Sequence, residues 1–381
     1  MPTRRIMNIS HAVVALMFAA ACHPVAADYS LNLTQGVTSI SQRAYQLHMI
    51  ALWICVAIGI VVFGAIFWSV ARHRKSRGVT PAQFHENTRL EVIWSVIPLL
   101  ILVALAVPAT QALIALEDTS DADLTIKITG QQWRWRYDYV DDGVGFFSNL
   151  DGKSAAAGRI GSGIDPQSVD HYLLNVDTPL VVPVGKKVRF LLTATDVIHS
   201  WWVPDLGFKK DAIPGFINEI WARVETPGIY RGQCTELCGV GHGFMPIVLE
   251  VKTEAEYRAW LAGMRAAQTA EKTEAPREWS RDELMAKGQQ VYSTTCTSCH
   301  QPNGEGVPGV FKPLKGSPVA TGPVDVHIDR VMNGKSGTAM QAFAKQLNDA
   351  ELAAVITFER NSWGNTAGDA VQPAQIKAAR K

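Results

Sequence analysis

Neither charge sign is in excess, and cysteine is scarce. Lysine and arginine together number 36 against 35 aspartates and glutamates in 381 residues, so there is no basic footprint for a polyanion, which argues against nucleic-acid binding as the main task. Six cysteines are too few to staple a chain of this length as a disulfide scaffold, so their positions matter more than their number. Charged residues are 19% of the chain, below the roughly 25% of soluble domains, yet mean hydropathy is only +0.04. That combination fits a polar chain interrupted by a few apolar spans. Length excludes one small module: at roughly 150 residues per domain, two or three domains are expected.

Residues 1–27 read as a secretory signal peptide, with Arg4 and Arg5, a short apolar run over about 12–21, and Val25-Ala26-Ala27 at the cleavage spacing. Asp28 is the predicted mature N-terminus. Lipidation at Cys22 is the alternative, although Ala19 stands where such signals usually carry Leu. Residues 28–118 contain two apolar stretches, about 47–71 and 92–116, each long enough to cross a hydrocarbon core of about 30 Å as a helix. The loop between them carries Arg72, Arg74, Lys75, Arg77 and Arg89. The positive-inside rule puts this loop in the cytoplasm and everything after Leu116 outside. Glu91 opens the second span in Glu91-Val-Ile-Trp94. A carboxylate there either meets the positive end of the helix dipole or marks a proton route into a partner subunit.

From 119 to 253 the pattern becomes short alternating runs, such as Leu124-Thr-Ile126-Lys-Ile128 and Lys187-Val188-Arg-Phe190, separated by Pro and Gly. This predicts a β-sandwich or barrel, with the Gly-, Ser- and Asp-rich 143–168 as a surface insertion. The chemistry gathers in Cys234-Thr-Glu236-Leu-Cys238-Gly-Val-Gly-His242-Gly-Phe-Met245, whose two thiolates, imidazole and thioether are soft ligands suited to copper. A Cys234–Cys238 disulfide would leave His242 and Met245 unexplained. A mononuclear blue copper site uses one Cys and two His, so the second thiolate would be surplus. Two thiolates could instead bridge two coppers, which requires a second imidazole. His199, in Asp196-Val-Ile-His199-Ser-Trp-Trp202, supplies it.

Residues 254–281, rich in Ala, Glu, Lys and Arg, read as a helical linker, and 282–381 as a small helical domain with runs at 281–292, 324–332 and 349–360. Cys296-Thr-Ser-Cys299-His300 is the attachment sequence of c-type haem: both sulfurs form thioethers and His300 is the proximal iron ligand. A thioredoxin-like pair would need a βαβ context and a zinc site two further ligands. The sixth ligand is expected to be a Met, either Met332 in an apolar helical register or Met340 on a loop.

These segments resemble cytochrome c oxidase subunit II over about residues 42–251, through Glu91-Val-Ile-Trp94, Gln132-Trp133-Arg-Trp135-Arg-Tyr137, the His199 segment, Lys209-Lys-Asp211-Ala-Ile-Pro214-Gly and the copper loop. The remainder resembles a class I cytochrome c. The resemblance implies a multidomain membrane protein: a two-helix transmembrane hairpin, a cupredoxin-like β-sandwich and a small all-α cytochrome domain. It implies a dinuclear copper A centre in which Cys234 and Cys238 bridge both ions. His199 and His242 bind one ion each, and Met245 and the Glu236 carbonyl are weak ligands. The Glu236 side chain would reach a magnesium ion shared with subunit I. One haem c would be attached at Cys296 and Cys299 and held by His300, which would donate to the Pro313 carbonyl. Met340 would be the distal ligand, and Gln341 departs from the Pro usual after it. Trp133 would be an exposed electron-entry residue, and Glu91 would lie at a proton entry. The implied partners are subunit I, subunit III and cytochrome c or another reduced donor; the implied location is a bacterial inner membrane, with both metal domains periplasmic. A linker of about 30 residues would hold the cytochrome near millimolar effective concentration. A quinol oxidase subunit would lack the copper ligands, and nitrous oxide reductase would need a second copper domain. A membrane-anchored copper and haem shuttle without an oxidase would have no use for Glu91 or the 209–215 segment.

Overall fold

The computed structural model describes residues 32–380 apart from 79, 81, 82, 84, 160, 275, 276 and 345; the signal peptide, Asp28 and Cys22 lie outside them. Helices α1 (Ser39–His73) and α2 (Thr88–Glu117) are the two apolar spans, and their membrane-length windows are unburied. Helix α1 begins about two turns before the apolar run. Its start is fixed by the sandwich rather than by hydropathy: Thr38 and Ser41 form a buried capping box, and Thr38 Oγ1 donates to the Leu206 carbonyl at 2.9 Å. Helix α2 carries Pro98 and Pro108, which membrane helices tolerate, and ends against the sandwich, where Trp221 Nε1 donates to the Ala115 carbonyl at 3.1 Å.

Among the described residues ten strands follow: β1 (Leu124–Gln131), β2 (Arg134–Tyr139), β3 (Val144–Ser148), β4 (Leu180–Pro183), β5 (Lys187–Ala194), β6 (His199–Val203), β7 (Phe208–Ala212), β8 (Asn218–Arg223), β9 (Gly228–Cys234) and β10 (Pro246–Lys252). They form two five-stranded sheets, ordered β3-β2-β1-β5-β8 and β4-β10-β9-β6-β7. Period-two alternation turns Ile126 and Ile128 into the core and Lys127 out. They meet Trp201, Ile247 and Leu249 of the other sheet, all fully buried, each worth about 1.5–3 kcal/mol. Trp135, Tyr137 and Tyr139 belong to this packing. The predicted insertion is only partly one: 144–148 is an edge strand paired with β2, its Val and Phe pattern masked by neighbouring glycines.

The linker expectation needs a larger correction. Helix α3 (Glu254–Glu274) is packed on the sandwich through Tyr257, Trp260 and Leu261, with Arg265 bonded to Asp142 at 2.7 Å. The cytochrome domain is therefore not on a free 30-residue tether. It consists of α4 (Arg281–Val291), α5 (Val324–Asn333), α6 (Asp349–Arg360), α7 (Pro373–Ala379) and shorter turns. Helices α4 and α6 cross where Gly288 meets the Ala354 backbone; an added Cβ would lie 2.1 Å from its carbonyl oxygen. The Ala- and Gln-rich tail is ordered, with Val371 and Ile376 buried against the other helices.

Candidate metal centres

The copper-loop residues converge because β6 begins at His199, β9 ends at Cys234 and β10 begins just after Met245. Antiparallel pairing sets Trp201 opposite Cys234. The Cys234 amide donates to the Met245 carbonyl at 3.0 Å, and the Thr235 amide to the Ser200 carbonyl at 3.1 Å. One sheet end thus collects ligands from three strands. His199 Nε2 lies 2.9 Å from Asp196 Oδ1, which leaves Nδ1 free to face the thiols.

Each sulfur has its own imidazole. Cys234 Sγ lies 4.0 Å from His199 Nδ1, and Cys238 Sγ lies 3.6 Å from His242 Nδ1. The sulfurs are 3.8 Å apart, too far for a disulfide of about 2.05 Å. They are close enough for one ion to touch both at a thiolate–metal bond of about 2.3 Å, the length zinc makes. The ligand atoms of His199, Cys234 and Cys238 all lie within 4.8 Å of one another. The Glu236 carbonyl is 3.4 Å from Cys234 Sγ, and Met245 is buried in the same core as both cysteines. The donor set fits a soft metal pair. Hydrogen bonding between the two sulfurs pulls the Cys234 thiol down and pushes the Cys238 thiol up, as expected of two close thiols that titrate as a pair.

The opposite sheet shapes the pocket. Gly130 on β1 leaves room for the His199 ring: an added Cβ would lie 2.7 Å from its Cδ2. Gly241 does the same for Trp133, whose ring would be 2.2 Å from such a Cβ. Trp133 is half-buried rather than exposed, because its ring lies against the copper loop and its Nε1 donates to the Cys238 carbonyl at 3.0 Å. Gln132 Nε2 reaches the same carbonyl at 2.8 Å. Asp196, Gln132, Gly130 and Gly241 shape the site, although the sequence assigns them no role. The one local signal is Asp196, three residues before His199.

In the cytochrome domain Cys296 and Cys299 form no disulfide among the described residues. They lie on a π-turn (Tyr292–Cys296) followed by a single helical turn (Thr297–His300). His300 Nδ1 bonds the carbonyl of Lys312 at 2.9 Å, not that of Pro313, and so leaves Nε2 for iron. Met332 is buried in the helical core. Met340 is half-buried on the loop after α5, held by the Lys335 amide on its carbonyl at 3.0 Å and its own amide on Thr338 Oγ1 at 3.2 Å. Glu91 is exposed in the first turn of α2.

Comparison with known proteins extends these observations over most of the chain. Residues 26–112 and 124–252 match the transmembrane and periplasmic domain models of cytochrome c oxidase subunit II, and 283–358 match the model described as cytochrome c oxidase, cbb3-type, subunit III. A probable cytochrome c oxidase subunit 2 of Rickettsia prowazekii is 42% identical over 234 residues, 61% of this chain and 72% of that protein. The chain belongs to the cytochrome c oxidase subunit II family. The subunit 2 of Cereibacter sphaeroides is 40% identical over 238 residues, 60% of this chain and 78% of its own length. The periplasmic domain of the Bradyrhizobium japonicum subunit II is 39% identical and matches 39% of this chain and 98% of its own, with a TM-score of 0.34.

This cytochrome c oxidase subunit II carries a fused cytochrome c domain after its periplasmic domain. The two families imply copper A and haem c, and the thiol and imidazole sets above fit them. The subunit II family also implies association with oxidase subunit I and a cytochrome c donor, and the chain is a membrane protein with an extracytoplasmic domain.

Proposed function

We propose that the chain is the electron-entry wire of the oxidase, with haem c as the first acceptor and a dinuclear copper A as the second. The observation that carries this reading is the pairing of two unlinked thiols, 3.8 Å apart, each with its own imidazole Nδ1. Cys234, Cys238, His199, His242, Met245 and the Glu236 carbonyl would hold the copper. Bound copper supplies one-electron exchange shared between two ions. The protein supplies rigidity: His199 is locked by Asp196 and Gly130, and the loop is pinned by Gln132 and Trp133. Cys296 and Cys299 would attach haem c, and His300 and Met340 would hold its iron. Trp133 is the electron-entry residue of the copper domain, supported by its bond to the Cys238 carbonyl. The Glu236 side chain would help hold a magnesium ion shared with subunit I, and Glu91 would serve a proton entry.

Exposed Leu237 and Val240 on the copper loop, with Phe216 and Ile217 after β7, form apolar surface suited to subunit I. Subunit III completes the assembly in a bacterial inner membrane, with both metal domains periplasmic and the basic 72–89 loop cytoplasmic. The test is purification of the native assembly: the chain is expected to bring with it a many-helix haem protein that consumes oxygen when the donor is reduced. Recovery of the chain alone, with both metal sites filled, would favour a membrane-anchored shuttle.

A further inference from the structure

The cytochrome domain sits on the copper domain through the loop that carries Met340. Gln341 Nε2 donates to Asp196 Oδ2 at 3.1 Å and to the Gln132 carbonyl at 3.3 Å. Asp196 is also the partner of His199, and its Oδ2 accepts the Gln132 amide at 2.7 Å. Behind Gln341, Gln346 Nε2 lies 3.4 Å from its Oε1, and Gln346 Oε1 accepts from the Arg134 guanidinium. Arg134 also reaches Thr295 Oγ1 at 3.4 Å, one residue before Cys296. The neighbours of two haem-site residues therefore touch the copper domain at the carboxylate that orients His199 and at the residue following Trp133.

We propose that Gln341 is a positioning residue, a latch that holds the haem-ligand loop on the Asp196 carboxylate and so joins the two metal sites by the chain Met340, Gln341, Asp196, His199. Proline, usual at this place in the resembled cytochromes, offers no side-chain donor; glutamine does. The rest of the seam is costly. Arg134 is 6% exposed and has no carboxylate within ion-pair distance among the described residues. It rests on amide and hydroxyl acceptors and on the Phe147 ring at 4.0 Å. Desolvation pulls its guanidinium down to about 10, and such a burial offsets much of what the contact gains. The step served is one electron leaving haem iron and one arriving at the copper pair, with no atom or proton moved. That redox consequence rests on the proposed function; the contact itself does not.

The test uses the full chain in detergent, with haem attached and copper loaded, and compares wild type with Gln341→Leu, Gln341→Glu and Gln341→Lys. The first readout is hydrogen-exchange protection over 130–136 and 194–198, which reports the contact whatever metal is bound. The second is the internal electron-transfer rate after photoreduction of the haem, with the haem spectrum confirming that Met ligation is kept. Removing the donor is expected to lower both by about tenfold, the weight of a hydrogen bond to a charged group. Glutamate, which sets two carboxylates together, is expected to lower them further, and lysine, which restores a donor, to keep both near wild type. Unchanged protection in Gln341→Glu would overturn the latch. Lost protection with an unchanged transfer rate would overturn the positioning role. Should a variant lose Met ligation, Gln346→Glu tests the same seam from outside the ligand loop. It gives Arg134 a carboxylate and is expected to raise protection, and unchanged protection there would overturn the docked state.

Discussion

A single methyl group placed on the opposite sheet should damage the copper site. Gly130 has an ordinary backbone conformation, so Gly130→Ala adds only volume, and its Cβ would lie 2.7 Å from His199 Cδ2 and 3.0 Å from Cγ. Ordinary contact begins near 3.4 Å, so the ring must recede by at least 3.4 minus 2.7, about 0.7 Å. Metal bonds tolerate about 0.2 Å, and the ring cannot slide freely because Asp196 holds Nε2 and Trp135 packs edge-on at 6.0 Å between centroids. Overpacking of this kind costs about 1–3 kcal/mol of stability, and disturbing a ligand's support costs roughly 10–100-fold in metal affinity. Copper content by elemental analysis and competition with a chelator read the affinity. Gly152→Ala, where an added Cβ meets nothing within 4 Å, is the control and should bind as wild type. Full copper occupancy and an unaltered copper spectrum in Gly130→Ala would refute the claim that β1 holds His199 in place.

Other substitutions separate role from packing. Met340→Leu should abolish Met ligation in the haem spectrum. Met332→Leu, a swap in a buried core that conserves volume, should leave it unchanged at a cost under about 1.5 kcal/mol; the reverse pattern would exchange their roles. Trp133→Leu should slow electron entry per bound copper, with Gln132 still holding the Cys238 carbonyl, and a normal rate would make the ring ordinary packing. Ile376→Ala, in a helix of the C-terminal tail and fully buried, should destabilise the cytochrome domain by about 2–5 kcal/mol in denaturant unfolding followed through haem absorbance.

Local signals were legible in the sequence and contact-borne ones were not. Helix α6 runs over Asp349–Arg360 as expected, because Asn348 and Glu351 close a capping box at its start and such caps are written in neighbouring residues. The copper loop is similarly local, four side-chain ligands within twelve residues. The first turns of α1 are polar and are set by Leu206, far along the chain, so hydropathy misses them. Strand β3 hides among glycines. Asp196 meets the Gln132 amide across 64 residues, and Gln341 meets Asp196 across 145. No periodicity records such contacts. Gln341 was visible only as a departure from the proline expected there; the structure shows what it touches.

The most direct test of the central claim is a count of copper and iron in the full chain purified apart from subunit I. Two coppers and one covalently attached haem are expected. The copper should show the hyperfine pattern of one unpaired electron shared equally by two nuclei, and Cys234→Ser should remove it and leave the haem in place. One copper per chain with a single-nucleus pattern, or a haem that extracts into acidified solvent, would contradict the account.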